Sequence, residues 1–281
     1  MAIDKKKGAG PQQHVKDMQI QALANVNEFL GSVDMDNPNL TGAIWERIND
    51  VNVQTIISEG ESHEYSENWS QEMVGKLQRS LVNYQLRHLY AGNATPVFSK
   101  LKEVLHILDK ECSRSLLDIG CTSGYYYEVI NFYCPHTFEY VGCDYNKESI
   151  KLATEYYPGV DFQVGDVTNL SFDDQEFDVS FLSGVIEHVP EYEKALEEVC
   201  RVSGRYIILH RIWLDSGPTS CKQGTQYFVP VIRNQYNKEE FFRILEENSF
   251  MPTWTSDVYD GNCRTYILER VERVENSKKK K

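Results

Sequence analysis

The stretch Ser115-Leu-Leu-Asp-Ile-Gly-Cys-Thr-Ser-Gly124 constrains this chain more than any other. Leu116, Leu117 and Ile119 make a continuous apolar run, the pattern of a strand buried on both faces of a sheet. The run enters a loop bracketed by Gly120 and Gly124, and a glycine at a strand end lets backbone approach a ligand where a Cβ would collide. Asp118 stands near the carboxyl end of that strand, the edge at which open α/β sheets bind ligands.

From residue 115 onward, strand patterns alternate with helical ones. Strands are predicted at 115–119, Tyr140–Cys143, Asp161–Val164, Phe177–Leu182 and Arg205–Leu209. Helices are expected at Tyr125–Tyr133, after an Asn146 N-cap, and from Pro190. That alternation is the signature of βαβ units with right-handed crossovers. A helix starting at Asn237 and strands near Thr253–Val258 and Thr265–Arg270 complete the pattern, the last two close enough to pair as a hairpin. The expected fold is α/β, a doubly wound, seven-strand, mostly parallel sheet of Rossmann-like type.

Upstream, Val15, Met18, Ala22, Val26 and Phe29 recur at helical spacing, as do Ile44, Ile48 and Val51. Val74, Leu77, Leu81, Tyr84 and His88 form a further run, and Leu101, Val104, Leu105 and Leu108 mark the helix before the first strand. The expected organisation is an N-terminal helical extension with a basic tail over 1–94, an α/β domain over 95–272 and a basic tail over 273–281.

Charge and cysteine usage narrow the function classes. Forty-two acidic against 29 basic residues give a net charge of −13, a field that repels polyphosphates and counts against DNA or RNA as partner. The 7 cysteines are scattered, with no C-x-x-C, so neither a disulfide framework nor a zinc knuckle is indicated and a cytoplasmic location is expected. No apolar run approaches the ~18 residues of a membrane span, and Met1–Gly10 lacks an apolar core.

Four motifs then fall in register. The loop Asp118-Ile-Gly-Cys-Thr-Ser-Gly124 is followed by Asp144 after the second strand, Gly165-Asp166-Val167 after the third, and Phe177-Asp-Val-Ser-Phe-Leu-Ser-Gly-Val-Ile-Glu-His-Val189 around the fourth. Residues 115 to about 205 resemble the core of the class I S-adenosylmethionine-dependent methyltransferases, in their small-molecule, Glu-His branch. The resemblance implies S-adenosylmethionine as cofactor, with the glycine loop passing its methionine moiety, Asp144 on both ribose hydroxyls, Asp166 on the adenine amino group and the Val167 N–H at the ring. It extends the expected cofactor contacts to Asp118, Gly120, Cys121, Gly124, Tyr145 and Ser183. A carboxylate that accepts two hydrogen bonds suits a vicinal diol, which gives the Asp144 assignment a physical basis of its own.

A dinucleotide is the rival cofactor, because strand, glycine loop, helix and later acid also describe a Rossmann fingerprint. Thr122 occupies the middle glycine position of G-x-G-x-x-G, which disfavours the close approach a pyrophosphate needs. For catalysis, Glu187 and His188 lie just beyond the fourth strand and His210 just beyond the fifth; His188 is the first candidate base. The competing reading is that Glu187-His188 packs the loop before Pro190. Small-RNA methyltransferases of this superfamily bind metal through Glu-x-x-Glu-His, but Gly184 replaces the first glutamate, so no metal is expected. Acceptor recognition is assigned to Ile212–Tyr236, with Trp213, Tyr227, Phe228, Arg233 and Tyr236 as an aromatic wall or a packed lid, together with the N-terminal extension, which is expected to help close the site. The expected activity is methyl transfer to oxygen or nitrogen of a small molecule, glycan or biosynthetic intermediate. The alternatives are a non-catalytic cofactor-binding partner and a methyltransferase of RNA or protein.

Overall fold

The computed structural model describes residues 55–56, 72–110, 114–227, 229–259 and 263–272. The helices expected near 15–29 and 44–51, both basic tails and Phe228 lie outside the described residues.

The chain runs β1 (Thr55–Ile56), α1 (Glu72–Tyr90), α2 (Pro96–Lys110), β2 (Ser115–Ile119), α3 (Tyr125–Tyr133), β3 (Glu139–Asp144), α4 (Lys147–Tyr156), β4 (Asp161–Val164) and β5 (Phe177–Ser183). A single 3₁₀ turn, Ile186–His188, precedes α5 (Tyr192–Val202). Then come β6 (Ser203–Asp215), β7 (Ser220–Gln226), β8 (Val229–Asn237), α6 (Lys238–Glu247), β9 (Phe250–Asp257) and β10 (Cys263–Arg270).

Strands β4, β3, β2, β5 and β6 are neighbours in that order and all parallel. β10 pairs antiparallel with β6, and β9 with β10, giving the expected terminal hairpin. The sheet is buried on both faces because successive residues point to opposite sides. Leu116, Val179, Phe181, Tyr206 and Ile208 meet α1, α2 and α3, while Leu117, Ile119, Leu182, Ile207 and Leu209 meet α5 and α6. Asn146 caps α4 by accepting from the Glu148 and Ser149 N–H groups, and Asn237 caps α6 by accepting from Glu239 and Glu240.

Two departures from the sequence expectation matter for the site. The stretch expected as a wall or lid is strand: β6 continues to Asp215, and β7 and β8 form an antiparallel pair from Ser220↔Gln235 to Gln226↔Val229. That pair joins the main sheet through Leu214↔Tyr236 and Asp215↔Asn237. In addition, Pro190 does not open α5; the 3₁₀ turn comes first and Glu191 is the N-cap.

Candidate active site and cofactor cavity

A cavity of about 780 Å³ opens at the carboxyl ends of β2, β3, β4 and β5. Its far walls are α1, through residues such as Val74, Gln78 and Leu81, and the β6–β8 region, through Arg211, Trp213, Tyr227 and Arg233.

The loop after β2 is built on positive φ angles: Gly120 at 75°, Thr122 at 50° and Gly124 at 72°. It folds back over β3, with the Gly120 and Cys121 N–H groups donating to the Cys143 carbonyl at 2.8 and 3.0 Å. A Cβ on Gly120 would lie 2.4 Å from Val185 Cγ2, so glycine is what lets the β2 and β5 loops pack together.

Asp144, at the end of β3, faces the cavity while only 5% exposed. Its Oδ2 accepts from the Thr122 N–H at 3.0 Å and its Oδ1 from the Asn146 N–H at 2.9 Å. Burial pushes its pKa up to about 6, against the opposing pull of those two N–H groups. Tyr145, Asp166 and Val167 also line the cavity; Asp166 is exposed, and its Oδ1 accepts from the Thr168 N–H and hydroxyl at 2.8 Å each.

Asp118, Cys121 and Gly124 do not line the cavity, a correction to the contacts expected of them. Asp118 is 1% exposed and accepts from the Tyr140 hydroxyl at 2.5 Å; burial raises its pKa to about 7. Cys121 is fully buried. At Gly124 a Cβ would lie 2.5 Å from the Phe162 ring. These three shape the loop from beneath.

The turn after β5 presents Glu187 and His188 to the cavity. Alternate residues of β8 hold it: His188 Nδ1 is 2.7 Å from the Ile232 carbonyl, Asn234 donates to the Val189 carbonyl at 2.8 Å, and the Tyr236 hydroxyl donates to the Ile186 carbonyl at 2.6 Å. Tyr236 is therefore a support of the turn and not an acceptor wall. Burial lowers the His188 pKa below the usual histidine value, assisted by Arg233 and Arg211. Ser183 lines the cavity beside them, its hydroxyl 2.6 Å from the Tyr126 hydroxyl.

His210 is a second correction. It is 1% exposed, lies off the cavity, has its Nδ1 2.7 Å from Thr265 Oγ1, and has a pKa lowered by burial to about 3. It has no position from which to take a proton from a molecule in the cavity. Its neighbour Arg211 lines the wall instead.

Sequence reasoning missed how α1 is fixed. Arg79, 6% exposed, donates to the Tyr157 hydroxyl at 2.9 Å, lies 3.8 Å from Glu128 and stacks 3.7 Å from the Tyr156 ring centroid. Nothing in the sequence set Arg79 apart, because the same helix also carries Lys76 and Arg87. Among the described residues, no group of three or more His, Cys, Asp or Glu is placed to hold a metal, and no helix is long and apolar enough to cross a membrane.

Residues 117–207 match the family model described as a methyltransferase domain. That segment, about a third of the chain, is similar to a methyltransferase domain and coincides with the parallel strands β2 to β5 and the start of β6 of the doubly wound sheet. Among curated proteins the chain is similar to demethylmenaquinone methyltransferase of Paenarthrobacter aurescens, 34% identical over 108 residues covering 37% of this chain and 42% of that one. It is also similar to phthiotriol/phenolphthiotriol dimycocerosates methyltransferase of Mycobacterium tuberculosis, 41% identical over 69 residues, 24% of this chain and 26% of that one. A third relative, the mitochondrial 2-methoxy-6-polyprenyl-1,4-benzoquinol methylase of Homo sapiens, is 31% identical over 107 residues, 36% and 30% of the two chains. The matches span less than half the length of these relatives. Among solved structures, 1,6-didemethyltoxoflavin-N1-methyltransferase of Burkholderia thailandensis, with 1,6-didemethyltoxoflavin and S-adenosylhomocysteine bound, superposes at a TM-score of 0.52 and 14% identity, over 79% of this chain and 95% of that one. At that identity the likeness is one of fold.

Proposed function

We propose that the protein transfers a methyl group from S-adenosylmethionine to oxygen or nitrogen of a small-molecule acceptor, with both molecules meeting in the 780 Å³ cavity. The observation that carries this reading is Asp144. Each of its carboxylate oxygens holds one backbone N–H and has a second acceptor position, so the pair suits a ribose diol at the cavity wall. Asp166 and Val167 stand one strand further along, where the adenine end is assigned, and Gly120 lies where the methionine end passes.

The cofactor supplies a methyl carbon activated by its sulfonium; the chain supplies alignment and, for a hydroxyl or ammonium acceptor, a base. His188 is assigned that base. A carbonyl oxygen only accepts, so the contact to Ile232 puts the ring proton on Nδ1 and makes Nε2 the acceptor. Glu187 beside it contributes charge to the same wall. Two relatives carry names that specify demethylmenaquinone and a polyprenyl benzoquinol, which supports a small acceptor here. The free thiols among the described cysteines support a reducing, cytoplasmic setting.

Calorimetric titration with S-adenosylmethionine, S-adenosylhomocysteine and NAD tests the reading. Micromolar binding of the two sulfur compounds and none of NAD is expected. Folded protein that binds neither sulfur compound overturns it.

A further inference from the structure

Arg211 reaches the cavity by a deliberate distortion of the sheet. Leu209 pairs with Tyr266 and Ile212 with Arg264, so His210 and Arg211 together oppose Thr265 alone, a β-bulge on β6. A bulge re-aims side chains, and here it sends His210 into the core and Arg211 to the cavity. Arg211 sits at φ 59°, a left-handed conformation that a non-glycine residue holds only where its surroundings impose it. Gly184, at φ 64°, clears the space: a Cβ there would stand 2.4 Å from Arg211 Nη2. The guanidinium donates to neutral groups, Ser183 Oγ at 3.1 Å and the Ser183 carbonyl at 3.4 Å.

Arg233 reaches the same cavity from β8. Its guanidinium stands 5.1 Å over the Trp213 ring, and a stacked guanidinium keeps its N–H edge for bonding. Arg233 follows Ile232, whose carbonyl holds His188, and Arg211 bonds Ser183 at the end of the strand that leads into the His188 turn, so both stand at the same end of the cavity. Glu187 faces the cavity too, yet among the described residues neither arginine is in an ion pair. Glu187 lies close enough to act on Arg211 as a counter-charge without forming an ion pair, which sets one carboxylate against two guanidiniums at this end of the cavity. In a chain with 13 more acidic than basic residues, that local excess of positive charge, with Arg211 held in strain, calls for an anion from outside.

We propose that Arg211 and Arg233 form a receptor for a carboxylate on the methyl acceptor, which makes the acceptor a planar acid bounded by Trp213 and Tyr227. The word acceptor rests on the methyltransferase reading above. The same chemistry has one other source, the carboxylate of the cofactor's own methionine. Arg233 belongs to the β7–β8 pair, away from β3, which ends in Asp144, and from the loop after β4, which carries Asp166, and this assigns the anion to the acceptor.

The test is titration of the S-adenosylhomocysteine-saturated protein with benzoate and with its neutral isostere benzamide, repeated without S-adenosylhomocysteine. Wild type is expected to prefer benzoate by about tenfold or more, one charge-assisted contact's worth. Arg233→Gln should lose that preference and bind S-adenosylhomocysteine as wild type does. Arg233→Lys, which keeps the charge but not the fork or the stack, should retain part of it and serves should the glutamine variant misfold. Equal binding of benzoate and benzamide by wild type overturns the proposal, as does a preference that survives in Arg233→Gln. Weakened S-adenosylhomocysteine binding by Arg233→Gln places the anion on the cofactor and overturns the acceptor assignment. Failure of wild type to bind S-adenosylhomocysteine at all overturns the proposed function instead, and the comparison made without it still decides the receptor.

Discussion

His188 and Ile232 are joined by a 2.7 Å hydrogen bond from the imidazole Nδ1 to the backbone carbonyl of a neighbouring strand. The bond fixes the ring's tautomer and its direction at once. With the His188 pKa lowered chiefly by burial, the ring is neutral at physiological pH, the state a proton acceptor requires. His188→Gln should lower turnover by about 100-fold, the lower end for loss of a general base, while S-adenosylhomocysteine affinity is kept. In wild type the base is active unprotonated, so the acid limb of the rate profile should fall below the usual histidine pKa of ~6.5. Equal turnover by the variant would reduce His188 to a packing role.

Asp144 provides the corresponding test of the cofactor end. It must be ionised to accept from a diol, and its pKa is pushed up to about 6 from the ordinary 3.8. The sign follows: S-adenosylhomocysteine affinity should be steady above pH 7 and weaken as pH falls through 6. Asp144→Asn keeps one acceptor and the turn but loses the charge, and should cost about 1.5–3 kcal/mol, roughly 10- to 150-fold in affinity, by calorimetry. Acid-insensitive binding would move the ribose elsewhere.

Where the sequence was legible, its signals were local. The Gly120–Gly124 loop, the α3 boundaries and the Asn146 cap are each specified by residues within one turn of themselves, and all three stand as expected. Strands β7 and β8 were not legible, because Ser220-Cys-Lys-Gln-Gly-Thr-Gln226 is polar and Pro230 interrupts its partner; their strand character comes from pairing with each other. Asp118 was misplaced because its partner Tyr140 is on the adjacent strand, and the register Asp118↔Gly142 that brings them to one face is a long-range property. His210 was misplaced, and Arg211 faces the cavity in its stead, through a single inserted residue, since a shift of one position in a strand reverses every side chain.

Gly120 carries a steric prediction. Alanine at φ 75° costs about 1–2 kcal/mol of backbone strain. Its Cβ, 2.4 Å from Val185 Cγ2, adds overpacking of about 1–3 kcal/mol. Gly120→Ala should therefore lower the melting temperature, and adding Val185→Ala should restore part of the loss, because only the clash is relieved. No recovery in the double variant would mean that the backbone conformation alone requires the glycine.

Arg79 ties α1 to the domain from the side away from its cavity face. It joins Tyr157 and Glu128 while stacking on Tyr156, and Glu128 in turn accepts from the Tyr157 and Tyr90 hydroxyls, so one buried guanidinium links α1, α3 and the end of α4. The same helix contributes Val74, Gln78 and Leu81 to the cavity wall. Arg79→Ala removes the aromatic stack and leaves Glu128 without its cation, a loss of about 2–4 kcal/mol. Hydrogen exchange should rise across 72–90 while β2, β3 and β5 keep their protection, and ligands of the cavity should bind more weakly. Exchange that rises equally throughout would mean that α1 is an inseparable part of the core; unchanged exchange in 72–90 would mean that its apolar face, through Val82, Leu86 and Leu89, holds it without the arginine.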